Sequence, residues 1–512
     1  MAEADPAAAG RPRPTALSKT RFLAGRQCPK RLYWQVTAPE LAAVRDAALE
    51  FRLAQGQEVG RLAQRAFPGG VALDAGRDQL DAALARTAAL VADPAVPAIF
   101  EATFRHGGVL VRIDVLERTA TGRWRLLEVK SGASVKAWHV ADVAIQRHVA
   151  AASGLAIEAV AVVHVRREYV YPGGAIDAAA LFTCVDVTAQ AAELDPDLPR
   201  LIAELHAVLA SESAPAIEPG PQCRSPFHCE FFDRCNVPLP VDHVRHLPGL
   251  RGPRLAELLA QGIERVSELP PDLELGARQR LALAAMREGR TRLSGELGDA
   301  LRPLTYPRAF MDFESLGPAI PRFPGMRPFD PIPFQWSVHV ERAPGAPLQH
   351  RDFLATDAAD PRRRFLETLA EAVGERGPIV VYSPFESERL SDLARWLPDL
   401  APRAEAIRAR LWDLLPVMRH HVYHPDFRGG FSLKRVLPAL AGLDYDQLEI
   451  QGGSAAGALW DRLVRGEQAP AERAGLAEAL RLYCGQDSMG LAALVRRLAE
   501  ALDGSPRGGI AS

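Results

Sequence analysis

RAFMDFESLGP, residues 308–318, is the stretch on which the fold of this chain turns. Ala309, Phe310 and Met311 form an apolar run that enters Asp312, skips Phe313 and reaches Glu314. Alternate residues of a strand share a face, so two carboxylates stand side by side at the end of a mostly apolar strand. Such a pair is either part of a metal site or a charged strand end at the surface. Spacing does not choose between them, and the partners must come from elsewhere in the chain.

Two later stretches supply them. VYSPFESERL places Glu386 just after an expected strand at 378–382, and RLYCGQDSMG carries Tyr483 and Asp487 at helical spacing i, i+4, on one face. The set resembles the DEDD exonucleases of the RNase H-like fold, tyrosine-bearing subtype. That resemblance implies that Asp312, Glu314, Glu386 and Asp487 hold two Mg²⁺ or Mn²⁺ ions about 4 Å apart, and that Tyr483 orients the attacking water for 3′→5′ trimming. One departure stands out. The second motif of this class usually ends in Asp after an Asn-x-x-aromatic string, whereas here it reads Ser383–Pro384–Phe385–Glu386. The extra methylene of Glu shifts the geometry, and Glu388 is the nearby alternative, facing elsewhere on a helix.

A second constellation lies upstream. AIFEATFR and VLVRIDVLER, parted by His106–Gly107–Gly108, read as a hairpin, and WRLLEVKS (124–131) as a third strand. Asp114 lies on the second of these strands, and Glu128 and Lys130 share a face of the third. An acid beside Glu-x-Lys can hold a divalent cation against a phosphodiester, with the Val129 carbonyl as a further ligand and the lysine stabilising charge. Gln146, on the helix expected at 138–153, points back at the cluster. The alternative is a cross-strand salt bridge. The chain holds only five lysines, at 19, 30, 130, 136 and 434; a lysine kept among so many arginines hints at a need for a compact ammonium at Lys130. The order helix, three strands with D…ExK, helix with Gln, strand resembles the PD-(D/E)XK nuclease superfamily.

Six cysteines occur, at 28, 184, 223, 229, 235 and 484, too few for a disulfide scaffold. Cys223, Cys229 and Cys235 are six apart, and Cys28 is the upstream fourth. Thiolates select zinc or iron–sulfur clusters, and zinc sites usually show a closer Cys pair; unrelated buried thiols are the third option. One cysteine before and three after a nuclease core resembles the iron–sulfur nucleases, namely the CRISPR-associated RecB-like exonucleases and the nuclease domains of bacterial break-repair complexes. The resemblance implies a structural [4Fe–4S] cluster tying the ends of the domain, with zinc as the alternative. The tighter pair common in that family is missing. Cys184 and Cys484 read as core residues.

The bulk numbers are those of an ordinary globular chain: 512 residues, 48% hydrophobic and 24% charged, with a net charge of −2. No window reaches an apolar span of about 18 residues, so no membrane partner is expected and cytoplasmic localisation is the default. Residues 18–34 carry Lys19, Arg21, Arg26, Lys30 and Arg31 without an acid, interleaved with Phe22, Tyr33 and Trp34. That composition suits a nucleic-acid strand; the alternative is a solvated basic helix. The expected organisation is a disordered leader (1–15), a RecB-like PD-(D/E)XK domain with the cysteines (16–240), a helical connector resembling a helix–hairpin–helix (241–300), an RNase H-like DEDD domain (301–503) and a tail (504–512). Helices are expected at about 40–66, 76–92 and 191–211, and near the C-terminus at 471–484 and 487–501.

MDFES, the PRFPGMRPFDPIPFQWSVHV stretch, YSPFESERL, GGFSLKRVLPAL and YCGQDSMG together resemble a bacterial family described only as a domain of unknown function. That family couples an iron–sulfur RecB-like region to a DEDD-type region over about 16–500. In its GGFSLKRVLP string Lys434 is a candidate phosphate contact; Gln335 is a candidate cleft residue, and His420, His421 and His424 read as surface groups. The expectation is an α/β multidomain, metal-dependent nuclease of DNA repair or defence, with single-stranded DNA the expected partner and RNA open. The alternatives are an iron–sulfur nucleic-acid-binding protein with one or both sites silent, an iron–sulfur sensor on a vestigial nuclease fold, and a zinc-stabilised nuclease.

Overall fold

The computed structural model describes residues 16–73, 79–450, 452–466 and 468–503. The expected leader, the tail and the first turn of the helix expected at 76–92 lie outside the described residues. The chain is an α/β protein with mixed sheets, divided into two compact units. One contains the residues up to Val237 together with Pro318–Asp330; the other contains Pro238–Gly317 and Pro331 onward. None of its described helices is long and apolar enough to cross a membrane.

The first unit is built on one sheet of seven strands: β1 (Leu17–Ser18), β2 (Val71–Ala72), β3 (Ala98–His106), β4 (Val109–Arg118), β5 (Trp124–Lys130), β6 (Ile157–Val165) and β7 (Phe182–Asp186). The path is β2-β3-β4-β5-β6-β7, with β1 beside β4. Gly107 and Gly108 close the β3–β4 hairpin at φ 55° and 73°, a conformation that costs glycine little. β5 and β6 run parallel, so a crossover joins them, and it contains the helix Ala137–Ala152. Leu126 packs with Ile113, Val143 and Ile145 on one side of the sheet, and Leu127 with Phe100, Val115 and Val163 on the other. Strand alternation therefore turns Glu128 toward the side of the crossover helix.

The sheet forks at β4. β5 pairs with it only from Val115–Leu127 to Arg118–Trp124, and β1 only at Val109 and Leu110. Asp114 lies on the stretch of β4 between the two pairings.

Several local expectations are corrected. The segment 40–66 is a 3₁₀ turn, Pro39–Leu41, followed by the helix Ala47–Gln64; Asp46 caps that helix by accepting from Leu49 N at 2.7 Å. The run 191–211 breaks at Asp195–Asp197, around Pro196, into two helices. The basic segment forms two helices, Lys19–Gln27 and Pro29–Thr37, whose Phe22 and Tyr33 are core residues and not an open stacking platform. Lys30 bonds to Ile217 O and Arg31 to Glu230, so part of its basic charge is satisfied internally. Cys184 is exposed on β7, the last strand of the sheet path, and is not a core residue.

The second unit has a small two-stranded pair, β8 (Arg292–Leu293) with β14 (Val422–Tyr423), and a five-stranded sheet. The larger sheet contains β9 (Arg308–Leu316), β10 (Ile332–Glu341), β11 (Gln349–Leu354), β12 (Ile379–Val381) and β13 (Leu411–Asp413) in the order β11-β10-β9-β12-β13. β9 is antiparallel to β10 and parallel to β12. Phe310, Met311, Phe334, Val338, Ile379 and Val380 are fully buried there. The two helices expected near the C-terminus are one helix of 34 residues, Pro470–Asp503, because Gly485 and Gly490 do not break it. A Cβ on Gly490 would lie 2.5 Å from Leu437 Cδ1, so this glycine allows a close helix crossing.

Candidate functional site

The second unit gathers the acids of the opening stretch. Asp312 and Glu314 come from the central strand β9 and Asp487 from the long helix. One ligand oxygen of each lies within 4.8 Å of the others, the only such set of metal-ligating groups among the described residues. Glu314 and Asp487 are buried, and Asp312 is half-buried. Glu386 enters from the first turn of the helix Phe385–Trp396; it is 3% exposed, and its Oε2 has no hydrogen-bond partner. Glu386 falls outside the tight triad but within electrostatic reach of Asp487. Glu388 turns to solvent beside Arg389.

Burial, then the neighbouring acids, push Asp312 and Glu314 well above the usual carboxylate range. Burial raises Glu386 to about 8 and Asp487 to about 6, the latter against the Tyr445 hydrogen bond and Lys434. Like charges crowded where water is scarce need a cation, and the donor set is the hard-oxygen kind that Mg²⁺ and Mn²⁺ prefer. The residues fit the group.

One side chain not anticipated from the sequence, Tyr445, joins this cluster beside several that were. The Tyr445 hydroxyl donates to Asp487 Oδ1. Cys484, a core residue as expected, is fully buried with its Sγ 3.4 Å from Asp312 Oδ2. Tyr483 is buried with its ring 6.3 Å from that of Tyr445, and burial first, then Glu314, raises its phenol. The Lys434 ammonium lies 5.5 Å from the Tyr445 ring centre and 5.8 Å from that of Tyr483. Gln335 is fully buried and donates to Leu480 O at 2.7 Å, anchoring the long helix to β10. His420 is exposed, His421 bonds Ser294 Oγ at 2.7 Å, and His424 accepts from Asp426 N.

In the first unit the fork of the sheet brings together Asp114, Glu128, Lys130 and Gln146. Asp114 Oδ2 accepts from Val129 N at 2.7 Å. Lys130 Nζ donates to Glu128 Oε1 and to Asp142 Oδ2, both at 2.6 Å. Gln146 Nε2 donates to Glu128 Oε2 at 2.8 Å. Three further members carried no recognised motif. Asp142 sits one helical turn before Gln146; Lys19 Nζ reaches Glu128 Oε1 at 2.8 Å; and Glu101 is an exposed residue of β3 at φ 61°, with the β3–β4 register unshifted on either side. A pattern search at i, i−4 from Gln146 would have found Asp142. Lys19 is brought in by β1 pairing with β4, which no local motif announces. Desolvation alone would raise Glu128, yet Lys130 and Lys19 hold it well below the usual carboxylate range. Desolvation, then Glu128, lifts Asp114 to about 7. Asp114 and Glu128, with the Val129 backbone between the strands, fit a single hard cation.

Cys28 joins the two basic helices as the C-cap of one and the N-cap of the next. Cys229 N donates to Cys223 O at 2.9 Å. Cys28 is within electrostatic reach of Cys229 and Cys235, and Cys223 of Cys235. The four thiols therefore share one neighbourhood, although no three of them meet the 4.8 Å spacing of the acidic triad.

A family model described as a domain of unknown function (DUF2779) matches residues 309–432. No curated protein and no solved structure matches the chain.

Proposed function

We propose that this chain is a metal-dependent nuclease with two candidate phosphodiesterase sites, one in each unit. The observation that carries the reading is the meeting of Asp312, Glu314 and Asp487 within 4.8 Å, from a central strand and a helix more than 150 residues later. Three acids around one point, with Glu386 near them and its Oε2 without a partner, are costly to a fold unless positive charge is recruited. A divalent cation held there would polarise a phosphodiester and make an attacking water more acidic.

The chain's own residues supply the rest. Tyr445 fixes the Asp487 carboxylate, Tyr483 borders the acids, and Lys434 offers a cation to a phosphate. The order of elements around Asp114, Glu128, Lys130 and Gln146 supports a PD-(D/E)XK reading of the first unit, and the mixed sheet centred on Asp312 supports an RNase H-like reading of the second. For the thiols an iron–sulfur cluster is the better candidate. Zinc bonds of about 2.3 Å would draw the sulfurs to roughly 3.8 Å from one another, whereas no three of these sulfurs lie within 4.8 Å of one another. Single-stranded DNA is the substrate proposed, in repair or defence.

Full-length protein purified without oxygen and given Mn²⁺ with end-labelled single-stranded DNA tests the reading. Cleavage is expected, with loss in EDTA and in Asp312→Asn combined with Asp114→Asn. A second reading, nucleic-acid binding with a silent site, is favoured only by Glu386 standing off from the triad; binding without cleavage would establish it.

A further inference from the structure

Lys19 is the one side chain of the basic N-terminal segment that enters the acid cluster of the first unit. It stands at the first position of the helix Lys19–Gln27, directly after β1, with Ser18 capping that helix through Arg21 N at 3.2 Å. Two ammonium groups therefore converge on one oxygen: Lys19 Nζ at 2.8 Å and Lys130 Nζ at 2.6 Å from Glu128 Oε1. The other oxygen of Glu128 is taken by Gln146 at 2.8 Å. Lys19 and Lys130 fill both lone-pair directions of Oε1, whereas Oε2 accepts only from Gln146, so a cation that draws on Oε1 has to displace an ammonium.

The two lysines are not equally bound. Lys130 has a second anchor on Asp142 Oδ2 at 2.6 Å, whereas Lys19 approaches Asp142 only to 3.7 Å. The Lys19 side chain is also the more exposed, 21% against 15%.

We propose that Lys19 is a resident counter-ion of the first unit's metal site, which yields Glu128 to an incoming divalent cation and then binds a phosphate oxygen of the nucleic acid. This rests on the nuclease reading above and adds a residue and an exchange that the reading does not contain. No bond is made or broken in the exchange; one ion pair replaces another. Lys19 then has opposite effects on two ligands. It competes with metal and attracts substrate, whereas Lys130, held by Asp142, stays in place.

The test uses the full chain carrying Asp312→Asn, so that remaining Mn²⁺ binding, read by electron paramagnetic resonance without nucleic acid, reports on the first unit. A charge-assisted hydrogen bond is lost on metal entry, so Lys19→Met is expected to bind Mn²⁺ roughly tenfold more tightly. The same variant should show a raised KM for single-stranded DNA, with kcat less affected, and Lys19→Arg should restore both toward the parent. In the unsubstituted chain, acylation of Lys19 by an amine reagent, followed by mass spectrometry, should rise several-fold on adding Mn²⁺ while Lys130 stays protected. Unchanged Mn²⁺ affinity in a folded Lys19→Met chain, or equal protection of Lys19 with and without Mn²⁺, overturns the proposal. Where Mn²⁺ binding is lost in Asp114→Asn, such a result leaves the nuclease reading standing; where Asp114→Asn changes nothing, both fall.

Discussion

At Asp312 a carboxylate is set against Asp487, Glu314 and Glu386 where water is scarce, and its proton affinity rises well above the normal range. Above its ordinary titration range the folded state keeps a proton that the unfolded chain has released, so stability falls as pH rises through the interval between the two values. Replacing Asp312 by Asn removes one of the crowded charges. Without metal, Asp312→Asn is expected to be more stable than the parent by about 1 kcal/mol, measured by urea unfolding, and to lose the rise in melting temperature that Mn²⁺ gives the parent. A variant that is less stable in both conditions would mean that the acids are held by something other than a metal requirement. The histidine beside this cluster shifts the other way. His339, 8% exposed and stacked at 4.3 Å on His350, is held down to about 4, by burial first and then by His350. Its folded value lies below the unfolded one of about 6.5, so unfolding takes up a proton between those values. Its contribution is therefore complete above pH 6.5 and lost as pH falls toward 4. The stability difference between the parent and His339→Asn should shift by that amount, against the parent, across this window; a difference independent of pH would contradict the assignment.

Among elements, the long helix Pro470–Asp503 matters most, because it carries Tyr483, Cys484 and Asp487 to the strand that carries Asp312 and Glu314. Gly490 lets it approach Leu437, and Gly490→Ala forces a Cβ into a gap of 2.5 Å. Overpacking costs about 1–3 kcal/mol, and the helix preference of alanine over glycine returns about 1 kcal/mol. A net loss of about 1 kcal/mol is expected in thermal unfolding, and an unchanged or raised stability would show that the crossing is loose. Much at this scale was legible in the sequence. The hairpin around Gly107–Gly108, the strand with Glu128 and Lys130, and β9 with its Asp-x-Glu follow from alternation and turn chemistry within a few residues. What escaped has a common cause. Lys19, Asp142 and Tyr445 reach their clusters through β1 pairing, a helical turn and a loop, and their partners are 109, 12 and 42 residues away. The break expected between 484 and 487 is absent because Gly485 does not interrupt the helix, whose buried face runs on from Leu480 and Cys484 to Asp487 and Leu491.

The whole molecule carries two acidic clusters in two compact units, and in the first unit four of its five thiols share one neighbourhood. If the thiols hold an iron–sulfur cluster, protein prepared without oxygen should show visible absorption that Cys28→Ala or Cys235→Ala abolishes, with lowered stability of the first unit; zinc and no colour would overturn the cluster. The units are expected to act on nucleic acid through separate chemistry, so a substitution in one leaves the products of the other. The measurement that tests this most directly is a cleavage time course on end-labelled single-stranded DNA with Mn²⁺, comparing the parent, Asp114→Asn, Asp312→Asn and the double variant. The expected result is a different product ladder missing from each single variant and no products from the double. Mn²⁺-dependent degradation that survives in the double variant, or a parent that binds the strand and cuts nothing, would contradict it.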